Sequence, residues 1–253
     1  MKSLSMCLES ILDDDTFFDK KNDKAVIEEW IKNNYEFYGK LIISDDLVVN
    51  CTGFIEVKNK SITYLTNGLF RWGKINKIFD CSGCNNLKSL EGAPKEVGES
   101  FWCDHCGGLE TLEGSPEKVG RNFYCNKCEN LKSLEGAPEK VDGCFDCSSC
   151  KNLTSLEGAP EKVGKTFLCC SCDNLTSLKG APEKVEDSFD CSDCKKLTSL
   201  EGAPEKVGGD FTCNFCNNIT SLEGAPEKVG GRIGCKNCKN LKITDSDRKK
   251  YKL

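Results

Sequence analysis

A Cys-x-x-Cys pair returns at every twenty-second residue over two thirds of the chain. The first cysteines are Cys81, Cys103, Cys125, Cys147, Cys169, Cys191, Cys213 and Cys235, and the second are Cys84, Cys106, Cys128, Cys150, Cys172, Cys194, Cys216 and Cys238. No insertion or deletion interrupts the series. A fixed period of 20–50 residues is the signature of a stacked array. Each copy is too short to fold alone: ordering its backbone costs on the order of 1–2 kcal/mol per residue. A buried large apolar side chain returns roughly 1.5–3 kcal/mol, and about half a dozen per copy do not close that gap. The copies must stack, and their interfaces carry the stability.

Within the repeat some columns barely change. Phe recurs at 79, 101, 123, 145, 167, 189 and 211, giving way to Ile233. Leu columns run 87 to 241, with Ile219 as the exception, and 90 to 222; a Val column runs 97 to 229. All seven prolines fall in one column, Pro94 to Pro226. Proline cannot donate to a strand ladder, so this column predicts a turn or extended connector. The glycine two residues earlier supplies the permissive backbone of such a corner.

The pattern F-x-C-x-x-C-x-x-L-x-x-L-x-G-x-P-x-x-V resembles the leucine-rich repeat over roughly residues 75–243. Phe79, Cys81 and Cys84 match the two strand leucines and the Asn or Cys that follows them. NLTSLEGAP (152–160) is similar to the short repeats of bacterial effector proteins, and the same words resemble repeat proteins of bacteriophage genomes. The period is 22 residues rather than 20 or 24, and Phe replaces the first strand Leu. The resemblance implies a β-rich solenoid of about eight rungs, either a variant horseshoe or a flatter β-solenoid. The expected organisation is a small α/β N-terminal cap (1–74), the solenoid (75–243) and a polar C-terminal tail (244–253).

Four roles compete for the cysteines. Phe and the first Cys share the inward face of a short strand, and the resemblance turns the second Cys back into the coil, where a small weak donor packs well. The leading expectation is therefore a structural ladder. Rungs about 4.8 Å apart lie within the Cα range that disulfides tolerate. Two pairs from adjacent rungs could supply four thiolates for Zn²⁺. Redox catalysis is disfavoured, because it needs one tuned thiol rather than eight equivalents. Cys144 and Cys170 lie outside the pairs, and Cys7 and Cys51 precede them.

Copies in one chain serve as controls for one another: a packing position stays constant, and a recognising position differs. Between Phe and the first Cys stand Asp80, Trp102, Tyr124, Asp146, Leu168, Asp190, Thr212 and Gly234; just before the second Cys stand Gly83, His105, Lys127, Ser149, Ser171, Asp193, Phe215 and Asn237. In a leucine-rich coil these side chains point out from the concave strand face. Trp102 and Tyr124 should stack on adjacent rungs with His105 and Lys127 nearby, and Leu168 and Phe215 mark further contacts. The competing reading is incidental surface, or packing under the N-terminal segment. The recurring Glu-Lys pairs predict cross-rung ion pairs on a wet convex side.

Ahead of the repeats, Val26, Ile27, Trp30 and Ile31 predict a helix over 23–35 with Asp23 as its N-cap. LIISDDLVVN, FIEVKN and SITYL read as short strands, and Leu4, Leu8, Ile11 and Leu12 as one face of a short helix. The start lacks the pattern of a secretory signal, and no apolar run reaches a membrane span. The expected location is the cytoplasm, that of the host cell if the phage likeness holds. The net charge of −5 disfavours a nucleic-acid groove. No nucleophile–base pair, phosphate loop or cofactor motif stands apart from the repeats. The chain is therefore expected to be a non-enzymatic scaffold for a protein partner, with a Cys₄ zinc protein as the alternative.

Overall fold

The computed structural model describes residues 20–251, a β-solenoid in which every rung but the last contributes two strands of two residues. One series runs Phe79–Asp80, Phe101–Trp102, Phe123–Tyr124 and so on to Ile233–Gly234; the other runs Glu96–Val97, Lys118–Val119, Lys140–Val141 and on to Lys228–Val229. Each strand pairs in parallel with its own column in the next rung, as in Phe123↔Phe145 and Val141↔Val163. The result is two ten-stranded sheets. With a strand on each of two sides, the coil is a two-sheeted β-solenoid.

Identical register follows from identical spacing. Phe and the first Cys face inward, where the Phe rings form a continuous stack with centroids 5.2–5.6 Å apart. The Leu and Val columns close the core; Phe145, Leu153, Leu156 and Val141 are wholly buried. Cross-rung bonds continue past the strand ends, with Cys125 N–H donating to Asp146 O at 2.9 Å and Lys127 N–H to Ser148 O at 2.8 Å. The Pro column sits at a corner that the preceding glycines turn. Gly158 has φ +85°, and a Cβ there would lie 2.4 Å from the Glu135 nitrogen of the rung before.

The N-terminal segment ends both ladders. Helix α1 (Lys20–Asn34) places Ile27 and Ile31 in the core, with Trp30 packed against it. Its boundaries correct the sequence reading: Asp23 lies inside the first turn and is not the cap. The helix stops at Asn34, whose side-chain amide donates back to Trp30 O at 2.9 Å. Tyr35 therefore opens strand β1 (Tyr35–Tyr38), followed by β2 (Leu41–Ile43), β3 (Val48–Cys51), β4 (Phe54–Val57) and β5 (Arg71–Ile75). Strands β3 and β4 already pair in parallel with β5 and Phe79–Asp80. Antiparallel β2 and β1 then cover their outer edges.

SITYL (61–65) is not a strand, although Ile62 and Leu65 are buried. The Leu65 carbonyl accepts the Tyr35 hydroxyl at 2.7 Å and the Trp72 indole N–H at 3.0 Å. A carbonyl committed to two aromatic donors is not free for a ladder. The helix expected around Leu4–Leu12, and Cys7, lie outside the described residues.

At the other end the polar tail forms helix α2 (Asp245–Tyr251). Thr244 caps it reciprocally: its Oγ1 accepts Asp247 N–H at 3.1 Å, while Asp247 Oδ2 accepts Thr244 N–H at 2.8 Å. The Tyr251 hydroxyl donates to Pro226 O at 3.2 Å, tying the helix to the last corner. The Glu-Lys column differs from expectation in that its lysines stand within the second sheet in register with one another, as in Lys140↔Lys162. Cross-rung pairs appear at Lys118–Glu96 (3.4 Å) and Lys95–Glu117 (3.8 Å), whereas Lys140 and Lys184 bond Asp142 and Glu186 of their own rungs at 2.6 Å.

Candidate recognition surface and thiol ladder

The cysteines are a regular feature of the interior. Every described cysteine is an unbridged thiol, and both columns are buried from Cys81 to Cys216. From Cys106 onward, the second thiol of each rung donates to the carbonyl of the first cysteine one rung earlier. Cys128 bonds Cys103 O at 3.1 Å, Cys150 bonds Cys125 O at 3.2 Å and Cys172 bonds Cys147 O at 3.3 Å, continuing to Cys238 on Cys213 O at 3.0 Å. Some first thiols bond forward, as Cys147 does to Leu168 O at 3.4 Å. A serine would offer the same donor, but the larger apolar sulfur also fills core volume.

This geometry weighs on the alternative roles. Among the described residues no group of three or more His, Cys, Asp or Glu side chains is arranged to hold a metal ion. Burial pushes the thiols of Cys103, Cys125 and Cys169 well above their ordinary range, so they are poor nucleophiles and reluctant thiolates. The ladder opens only at its last rung, where Cys235 and Cys238 are partly exposed, as Cys144 and Cys170 are outside it. Brief alkylation of the native, reduced protein should therefore mark these positions first, leaving the ladder pairs from Cys103/Cys106 to Cys191/Cys194 unmodified until denaturant is added. Peptide mapping reads the outcome; early labelling of Cys125 or Cys150 would show that the ladder is not a closed interior.

The outward positions form two neighbouring grooves. Trp102 and Tyr124 pair in register on adjacent rungs, their rings stacked with centroids 6.3 Å apart and planes 28° from parallel. Around them Asp80, Ser82, Asp104, Asn126 and Asp146 complete a shallow groove. Asp80 precedes Trp102 in the ladder and Asp146 follows Tyr124, so each end of the aromatic step meets a carboxylate. These carboxylates are held by their own turns: Asp80 Oδ1 accepts Ser82 N–H and Asp146 Oδ1 accepts Ser148 N–H, both at 2.8 Å. Asp104 is more heavily engaged, with Ser82 Oγ and His105 Nδ1 each at 2.7 Å. Burial raises the Tyr124 phenol, helped by nearby Cys144 and Asp146. The Trp102 indole N–H is buried with no hydrogen-bond partner among the described residues.

His105 and Lys127 do not share that groove. They line the next one, with Gly83, Asn85, Gly107, Glu129, Ser149 and Lys151. Leu168 lies on the first sheet beyond Asp146, half-buried. Phe215 is 51% exposed on the same corner as His105 and Lys127, several rungs further along.

The corner itself has a property that the variable column conceals in sequence. His105, Lys127, Ser149, Ser171, Asp193, Phe215 and Asn237 all have φ between 57° and 61°, the left-handed region, and Gly83 has φ 73°. Non-glycine residues there carry about 1–2 kcal/mol of strain. Gly, Asn and Asp, which tolerate this backbone best, are all represented in the column, and that was the legible hint. Comparison with protein-family models, with curated proteins and with solved structures finds no match for this chain.

Proposed function

We propose that the chain is a non-enzymatic scaffold that captures a protein partner on the outer face of its first sheet and the adjoining left-handed corner. One contrast carries the reading. The solenoid has two left-handed columns. From Gly92 to Gly224 the first is glycine in every rung, and from Gly114 onward a Cβ would strike the backbone of the rung before. The second, from Gly83 to Asn237, holds a nearly different side chain in each rung in spite of the strain. Strain concentrated where surface side chains diversify fits display rather than packing. Trp102 and Tyr124 stand three residues from this column, and such aromatics are enriched at binding hot spots.

The net charge of −5 supports a protein partner over a nucleic acid. Among the described residues no helix is long and apolar enough to cross a membrane. The likeness of the repeat words to bacteriophage proteins supports a role in infection, as a virion component or as an inhibitor of a host defence protein in the host cytoplasm.

Two variants test the surface, with capture from a native-cell lysate and mass spectrometry as the readout. Trp102→Ala with Tyr124→Ala should weaken capture at least about tenfold, equivalent to about 1.4 kcal/mol, with the thermal midpoint nearly unchanged. His105→Gly, Lys127→Gly and Phe215→Gly together should weaken capture while raising stability. Relief of the left-handed strain outweighs the added freedom of the unfolded chain by about 0.5–1 kcal/mol per site. Undiminished capture by both variants would remove this surface from consideration.

A further inference from the structure

We infer that the aromatic step on the first sheet receives paired cationic side chains, arginines above all, from an extended segment of the partner. The inference rests on the proposed recognition surface and adds the chemistry of its occupant. Because Trp102 and Tyr124 stack on each other, their inner faces are covered and their outer faces look along the ladder toward Asp80 and Asp146. Both neighbours are short side chains. Space therefore remains over each outer ring face, with a carboxylate at its floor.

That combination suits a guanidinium. Its flat face stacks on the ring as a cation–π contact, and its N–H fork meets a carboxylate. The backbone N–H groups of Ser82 and Ser148 hold one oxygen of each carboxylate in place. The second oxygen of each makes no hydrogen bond among the described residues. Charge is one-sided: Asp80, Asp104 and Asp146 line the groove and no cation does. A neutral apolar segment would leave these carboxylates desolvated without partners, and an acidic segment would be repelled.

The ladder also sets a distance. Asp80 and Asp146 are three rungs apart in register, which is about 14 Å at about 4.8 Å per rung. An extended chain advances about 3.4 Å per residue, so cations about four positions apart reach both ends, and positions an even number apart share a face.

Fluorescence anisotropy with the full chain tests this. The probe is a labelled Thr- and Val-rich peptide carrying two arginines about four positions apart. It is expected to bind saturably and to weaken with salt. The same peptide with glutamine for both arginines should bind at least about tenfold more weakly, as should the arginine peptide to Asp80→Asn with Asp146→Asn. Asparagine keeps the acceptor for the Ser82 and Ser148 N–H groups, so that variant retains the turns. No binding by the arginine peptide, equal binding of the glutamine peptide, or indifference to the Asp→Asn pair would overturn the inference. A captured partner that is lost with Trp102→Ala and Tyr124→Ala but not with the Asp→Asn pair would leave the surface standing and remove only its cationic occupant.

Discussion

Above about pH 9, with reductant present, the protein is expected to unfold cooperatively over a narrow pH range. The cause is the thiol ladder. Burial raises Cys103, Cys125, Cys147, Cys150 and Cys169 well above the ordinary thiol range. In the unfolded chain the same groups ionise near pH 8.5. Below that value both states hold the proton and the ladder's contribution is complete. As pH climbs between the unfolded and folded values, only the unfolded state releases protons, so stability falls as pH rises. Each thiol contributes about 1.4 kcal/mol per pH unit, and these five alone supply on the order of 7 kcal/mol per unit. A typical domain has 5–15 kcal/mol in total. Far-ultraviolet circular dichroism against pH is the measurement. A chain still folded at about pH 11 would mean that the interior does not exclude thiolate.

The second large effect is expected from Gly158→Ala. The added Cβ would meet the Glu135 nitrogen at 2.4 Å and the Leu134 carbonyl carbon at 2.6 Å, both backbone atoms with little room to yield. The residue would also be held at φ +85°. Left-handed strain and overpacking together cost about 2–5 kcal/mol. The location adds a distinct signature. In a linear array each rung contacts only its neighbours, so a fault in the middle separates two blocks and should split one thermal transition into two. Gly224→Ala, near the end, should fray the last rungs and lower the midpoint less. A single unshifted transition for Gly158→Ala would contradict the tight rung-to-rung approach at this corner.

Much of this architecture was legible because an uninterrupted period reports on itself. Phe145, Cys147, Cys150, Leu153 and Leu156 are constant in kind and are all buried; repetition identified the interior without any propensity argument. The Pro and Gly columns likewise announced the corner. The second sheet was hidden because its repeat strands are two residues long and their outward member is a lysine, or Glu96 in the first, which in sequence is indistinguishable from ordinary charged surface. The left-handed corner was hidden for a different reason. Variation at His105, Lys127 and Phe215 was visible, but the backbone torsion that gives it meaning is set by cross-rung bonds such as Lys127 N–H to Ser148 O, which no single repeat encodes. Outside the array, where no copies served as controls, boundaries failed: Asp23 was misplaced as a cap, and SITYL was read as a strand though its Leu65 carbonyl serves two aromatic donors.

The unbroken 22-residue register has a consequence for how such a chain changes over time. Because Phe meets Phe and Val meets Val from rung to rung, with Phe211 on Ile233 as the exception, recombination that removes or duplicates a multiple of 22 codons rejoins matching ladders and leaves the fold intact. Outward side chains ride along as interchangeable cassettes. Length and specificity can therefore be altered by copying and shuffling whole turns, while a single-codon insertion would put its own rung out of line with its neighbours.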